Sequence, residues 1–337
     1  MKVYRLDPVG TRDGLKLAEE AERRPGPREV AIRIRAASLN YRDLKVATGA
    51  YERGAIKPRV IPLSDGAGEV AETGPGVTRV KAGDRVAAIF VQRWLAGRVD
   101  PAYASSSLGG PADGVLAERI VLSEEGVVPI PGHLTFEEAA TLPCAAVTAW
   151  HALFARGGLT AGETVLTLGT GGVSLFAAQF ARLAGARVIV TSGSEAKIER
   201  LRAMGITDVV NYRATPDWEK AVMELTDGQG ADHVLELGGA GTFRKSLLAL
   251  RVGGRLYAIG NLAGEAQINP QMILVKRANV HGIQVGSREM FGAMNRAISQ
   301  ARLKPIVDRQ FEFGEARAAY DYLDSRAHFG KIVIRGA

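Results

Sequence analysis

The stretch Thr164-Val165-Leu166-Thr167-Leu168-Gly169-Thr170-Gly171-Gly172-Val173-Ser174 decides how the rest of the chain is read. Five aliphatic and β-branched residues run directly into a glycine-rich turn. Behind the turn, Phe176, Phe180, Leu183 and Ala184 fall on one face of a helix that stops at Gly185. Strand, tight turn and helix in that order open a βαβ unit. Gly169 permits the turn, and Gly171 lets the backbone N–H groups approach a pyrophosphate at the positive end of the helix, with Thr170, Gly172 and Val173 completing the anion-binding loop. Ser174 stands where the G-x-G-x-x-G pattern has its third glycine, so a looser approach of helix to strand is expected. Thr164 to Ala181 is also free of charge, but its glycines, its threonines and the lack of a positive flank make it a poor membrane span.

The same rhythm repeats downstream of this crossover. Arg187–Val190, Asp208–Asn211, His233–Leu237, Arg255–Ile259 and Asn279–Val285 are short apolar runs separated by helical patterns, which predicts parallel βαβ units. Upstream, Val30–Ile34, Gly68–Ala71, Gly83–Ile89 and Ile120–Leu122 alternate with turn residues and predict an antiparallel, barrel-like domain. A last strand, Lys331–Ile334, belongs with these rather than with the parallel set.

Composition sets the bounds. A chain of 337 residues, 46% of them hydrophobic, buries a sizeable core and has room for two domains. One cysteine, Cys144, excludes an intramolecular disulfide and a multi-cysteine zinc lobe, and suits a reducing, cytoplasmic setting. The net charge of +7 favours an anionic ligand, yet no basic run amounts to a nucleic-acid patch, and the N-terminus carries no targeting pattern.

About 20 residues past the glycine turn, an acidic residue at the end of the second strand would bind both ribose hydroxyls of an NADH-type cofactor. Ser192 stands there instead. If Ser194 caps the next helix, Lys197 falls in its first turn, where a cation opposes the helix dipole unless an anion is bound. A 2′-phosphate removes that conflict, so NADPH is expected ahead of NADH. A second glycine cluster, Gly238-Gly239-Ala240-Gly241, follows a strand and reads as a loop bordering the site.

Taken with Ser38-Leu39-Asn40-Tyr41-Arg42-Asp43, Asp65-Gly66-Ala67-Gly68-Glu69-Val70, Val80-Lys81-Ala82-Gly83-Asp84-Arg85-Val86 and Leu142-Pro143-Cys144-Ala145-Ala146-Val147-Thr148-Ala149-Trp150, the chain resembles the medium-chain dehydrogenase/reductase superfamily. Within it, the likeness is to the zinc-free branch of quinone oxidoreductases. The resemblance implies an α/β chain with a GroES-like β-barrel catalytic domain from residues 1–128 and 288–337. A Rossmann domain with a doubly wound, parallel six-stranded sheet would span 129–287, with a cofactor cleft at the junction. Zinc-dependent relatives carry ligands in the columns of Tyr41, Ser64 and Cys144, and only the last survives, so no metal is expected and Cys144 reads as a small buried hydrophobe.

Carried over residue by residue, the resemblance implies that Lys197, Tyr212 and Arg326 hold the 2′-phosphate. Asn40, Thr148, Gly260, Asn261, Gly282 and Gln284 would lie around the nicotinamide end. Tyr51 matches a tyrosine taken as proton donor in enoyl reductases, and Asn40 is placed to orient a carbonyl oxygen. Tyr41, Arg42, Asp43 and Lys45 read as loop salt bridges, and the segment Phe90–Gly114 as a cap over the substrate. Without a metal, hydride transfer suits a quinone or α,β-unsaturated carbonyl, whose incoming charge spreads into an enolate or phenolate. Two other readings stay open: an alcohol dehydrogenase acting on unconjugated alcohols or ketones, and an NADPH-binding sensor or RNA-binding scaffold with little turnover. A homodimer joined along Asn279–Val285 is the expected assembly.

Overall fold

The computed structural model describes residues 1–51, 55–260 and 267–336, so Asn261 lies outside the described residues. The chain divides into two compact units, Met1–Val147 with Val285–Ala337, and Thr148–Gln284.

In the first unit, β1 (Lys2–Leu6) and β2 (Leu15–Glu19) pair antiparallel. The larger sheet is built from β3 (Glu29–Ser38), β4 (Asp65–Thr73), β5 (Arg85–Ala88), β6 (Arg119–Ser123) and β7 (Val127–Pro129). β3 is the hub, flanked antiparallel by β4 along most of its length and by β6 at its start. Alternation along β3 turns Arg33 and Arg35 outward and sends Ile32 and Ile34 into a core with Val70, Val86 and Leu116. The antiparallel expectation for this half of the chain is met.

The second unit carries β8 (Thr164–Leu168), β9 (Arg187–Ser192), β10 (Asp208–Asn211), β11 (Ala231–Glu236), β12 (Leu250–Ala258) and β13 (Asn279–Gly282). They form a parallel sheet in the order β10-β9-β8-β11-β12-β13. The direction of winding reverses between β8 and β11, and ligands bind such sheets at the carboxyl ends of the strands flanking that reversal. Leu166, Ile189, Val234 and Leu256 form the sheet's share of the core. β13 ends at Gly282 rather than running on to Val285, which takes a left-handed φ of 29° that a strand does not tolerate.

The chain then returns to the first unit. β14 (Val307–Phe311) pairs parallel to β15 (Lys331–Arg335), which lies antiparallel against β3. This register places Val333 opposite Ser38, and Ser38 opposite Asp65 on the other side. Lys331, the Ser38–Asp43 turn and Asp65 therefore meet at one end of the sheet.

Candidate active site

The glycine turn after β8 is built as an anion cradle. Gly169 takes φ 77° and donates its N–H to Thr191 O at 2.8 Å, which ties the turn to the end of β9. Gly171 is the N-cap of the helix Gly172–Leu183, whose first-turn amides have no carbonyl before them in the helical ladder. No atom lies within 4 Å of where a Cβ on Gly169 or Gly171 would stand, so open space faces the turn where a pyrophosphate would lie. Ser174 is buried and donates its hydroxyl to Leu168 O at 2.7 Å. The serine joins the helix to the strand end, so the looser approach anticipated from its Cβ is not what this hydroxyl produces.

At the neighbouring strand ends, Ser192 is buried, and its carbonyl accepts from the Tyr212 N–H at 3.1 Å. The Tyr212 ring lies over Gly193, where a Cβ would come within 2.5 Å of it. Ser194 is the N-cap of the helix Glu195–Ala203, which places Lys197 at its third position. The Ser194 side chain makes no capping bond to the helix. Ser192, Ser194, Lys197 and Tyr212 thus share one end of the sheet with the glycine turn.

On the other side of the reversal, Glu236 at the end of β11 organises the second glycine loop. Its carboxylate accepts from Gly239 N at 2.8 Å, from Thr242 Oγ1 at 2.5 Å and from Ser246 Oγ. Burial pushes its pKa up against those three donors. Gly238 and Gly260 close this region tightly, since a Cβ would meet Thr242 Oγ1 at 2.3 Å in one case and Leu237 O at 2.2 Å in the other. Thr148 is buried, while Gly282 and Gln284 are exposed.

In the first unit, the residues around Asn40 form a buried ionic cluster. Lys331, 3% exposed, donates from Nζ to Leu39 O at 2.5 Å and to Asn40 Oδ1 at 2.6 Å. An ammonium only donates, so the Asn40 amide is locked with its oxygen towards Lys331. Asp65 accepts from Ser64 Oγ at 2.7 Å and from the Cys144 N–H at 3.1 Å. Asp43 accepts from the Asn40 N–H at 2.8 Å and from Arg42 Nη1 at 3.2 Å. Burial pushes Asp43 up to about 6 and Asp65 up as well, and it pushes Lys331 down; each is opposed by the opposite charges beside it.

Arg42 forms the expected ion pair with Asp43 and makes further contacts besides. Its side chain is 11% exposed and packs against the rings of Tyr51, with Cζ 5.0 Å from the centroid, and of Phe90, 4.8 Å from the centroid. Nη1 donates to Leu108 O at 2.9 Å, while Nε and Nη2 are buried without a hydrogen-bond partner. Phe90, Leu108 and Gly110, all in the segment read as a cap, close over this guanidinium. Arg326 belongs to the same unit and sits exposed in a left-handed turn after the helix Ala316–Asp324. The expected residues therefore fall into two sets, with Asn40, Tyr51 and Arg326 in the first unit and the glycine turn, Lys197 and Tyr212 in the second. Sequence reading missed Lys331, Asp65 and Glu236 as site residues; each stands at the end of a strand, where a charge carries no local signal of burial.

Among the described residues, no three His, Cys, Asp or Glu side chains converge as metal ligands. Cys144 is a single thiol pushed towards its neutral form, first by burial and then by Asp65, and Lys331 and Arg42 already bring positive charge to it. This donor set does not fit a zinc ion. Nor is any helix among these residues long and apolar enough to cross a membrane.

Residues 26–132 match the alcohol dehydrogenase GroES-like domain family, and residues 172–300 match the zinc-binding dehydrogenase family. The chain is 41% identical over 338 residues to a zinc-type alcohol dehydrogenase-like protein of Schizosaccharomyces pombe, covering 98% of this chain and 97% of that one. It is 30% identical to a quinone oxidoreductase of Pseudomonas aeruginosa, with 92% of each chain covered. The crystal structure of a putative alcohol dehydrogenase from Sinorhizobium meliloti 1021 superposes with a TM-score of 0.93 at 40% identity, over 99% of this chain and 98% of that one. The fold and site define an oxidoreductase built from a GroES-like domain and a Rossmann sheet. The chain belongs to the medium-chain dehydrogenase/reductase superfamily, whose members bind nicotinamide cofactors.

Proposed function

We propose that the protein is an NADPH-dependent, zinc-independent reductase of quinones or α,β-unsaturated carbonyl compounds. The observation that carries this reading is the strand-end cluster of the second unit. There Ser192 replaces a ribose-binding acid, and Lys197 and Tyr212 accompany the glycine turn. A bound dihydronicotinamide supplies the hydride. The chain's own residues do the rest: the amides of Gly171, Gly172 and Val173 hold the pyrophosphate, and Ser192, Ser194, Lys197, Tyr212 and Arg326 select the extra phosphate. Thr148, Gly238, Gly260, Asn261, Gly282 and Gln284 serve the nicotinamide end. Asn40, its amide locked by Lys331, orients the substrate carbonyl, and Tyr51 gives the proton that completes reduction.

The assembly we propose is a homodimer. β13 is an outer strand of its sheet, and on the helix Gln271–Lys276 that precedes it in the chain Leu274 and Val275 are 68% and 67% exposed, apolar surface that a second copy would cover.

The test is cofactor choice. One charge-assisted contact to phosphate is worth about 1.5–3 kcal/mol, which is roughly 10- to 100-fold in kcat/KM. Lys197→Ala is expected to cost NADPH that factor and leave NADH unchanged, with 1,4-naphthoquinone or an enone as acceptor. A wild-type preference for NADH, or faster turnover of simple alcohols than of enones and quinones, would overturn the proposal.

A further inference from the structure

The mechanism above leaves Arg42 unused, yet its placement demands an explanation. A buried guanidinium that spends one nitrogen on Leu108 O and Asp43, and leaves Nε and Nη2 without partners, forfeits hydrogen bonds it had in water. Those two nitrogens form one edge of the planar guanidinium, the edge suited to an anionic oxygen. Gly110 is what lets the chain close over that edge, because a Cβ there would come within 2.7 Å of Nη2. The Tyr51 and Phe90 rings both pack against the guanidinium, with Cζ 5.0 and 4.8 Å from their centroids.

We propose that Arg42 is a positioning residue for Tyr51, holding unpaired donors ready for the negative charge that Tyr51 acquires only when it gives up its proton. The inference rests on the reading of Tyr51 as proton donor. Hydride addition to the β-carbon pushes the C=C pair onto the carbonyl oxygen as an enolate. The O–H bond of Tyr51 then breaks, its proton passes to the α-carbon, and the electron pair stays on the phenolic oxygen as a tyrosinate, which water later reprotonates. Neutral Tyr51 asks little of the guanidinium, whereas the tyrosinate gains a full charge–charge attraction inside a desolvated site. An interaction gained on the way to the transition state raises kcat without tightening substrate binding. The coupling shows from the arginine's side as well: burial, the largest influence, lowers the Arg42 pKa, and the charges of Asp43, Tyr51 and Cys144 with a hydrogen bond to Tyr51 together outweigh it and hold the group above its ordinary value.

A double-mutant cycle on the full chain, with NADPH and an enone, separates the possibilities. Tyr51→Phe is expected to lower kcat about 100-fold, in the range of a lost general acid. Arg42→Gln in the wild-type background is expected to lower kcat about 10- to 100-fold with little change in the KM values, and to raise the solvent isotope effect on kcat as proton transfer becomes limiting. In the Tyr51→Phe background, Arg42→Gln should cost less than about twofold, because the two act as one unit. Equal costs of Arg42→Gln in both backgrounds overturn the inference while leaving Tyr51 as donor. A Tyr51→Phe variant with undiminished kcat overturns the reading of Tyr51 itself and the inference with it. Should Arg42→Gln fail to fold because Asp43 loses its counter-charge, Arg42→Gln combined with Asp43→Asn keeps the pair neutral and is compared with Asp43→Asn alone in both Tyr51 backgrounds. A loss confined to the background that retains Tyr51 supports the inference, and equal losses overturn it.

Discussion

Replacing Lys331 with methionine tests whether the buried cluster of the first unit is held by charge balance. Lys331 and Arg42 face Asp43 and Asp65, two cations against two carboxylates with almost no solvent between them. Lys331→Met leaves one carboxylate unpaired, and removing a partner from a buried pair costs about 3–5 kcal/mol. The orphaned Leu39 carbonyl adds roughly 1 kcal/mol. The apolar contacts methionine restores offset about that amount, so the net expectation stays at about 3–5 kcal/mol. For a unit of roughly 200 residues, each kcal/mol moves Tm by about 2–4 °C, which gives a drop of about 6–20 °C. Calorimetric melts at pH 8 without cofactor read this directly. Adding Asp65→Asn restores neutrality and is expected to recover more than half of the loss, since the amide oxygen still accepts from the Cys144 N–H and the Ser64 hydroxyl, now donating to Oδ1, can turn to accept from the amide nitrogen that replaces it. A Lys331→Met variant melting within about 2 °C of the wild type, or an Asp65→Asn change that deepens the deficit, would refute the reasoning.

Two further outcomes follow from the second unit. His233 is buried, with Nδ1 2.7 Å from the Tyr257 hydroxyl and Nε2 3.0 Å from Glu163. A carboxylate only accepts, so the neutral ring donates from Nε2 and accepts the tyrosine proton at Nδ1. Burial first, opposed by Glu163, holds the His233 pKa below 6.5, and burial does the same to His281. The unfolded chain therefore takes up these protons more readily, and the stability they contribute is complete above pH 6.5 and declines as pH falls through 6.5 towards the depressed folded values. Asp43, Asp65 and Glu236, raised by burial, contribute a slope of the opposite sign, so the readout is the difference between wild type and His233→Asn in melts from pH 8 to pH 5: the wild type should lose more stability on acidification, and a smaller loss than in the variant would contradict the reasoning. Light scattering of the purified chain is expected to give twice the chain mass, and Val275→Glu, on the exposed apolar face of the helix Gln271–Lys276, to shift it towards the monomer. A wild-type monomer at micromolar concentration would remove the dimer.

The parallel half of the molecule was legible because its signals are short-range. Thr164–Leu168 and Asp208–Asn211 match their observed bounds, since a β-branched run closed by Gly169 in one case and by Asn211 in the other leaves little other choice of local geometry. The glycine turn was equally plain, because φ of 77° at Gly169 is a demand on one residue. What the sequence could not express is which distant charges meet. Lys331 reaches Asn40 across 291 positions, Cys144 reaches Asp65 across 79, and Arg42 reaches Leu108 across 66. Each looked like an ordinary surface charge or a small hydrophobe until strand pairing around β3 brought them together and removed the water. Electrostatic energy depends on separation and on surrounding dielectric, and both are properties of the packed chain rather than of any window of residues along it.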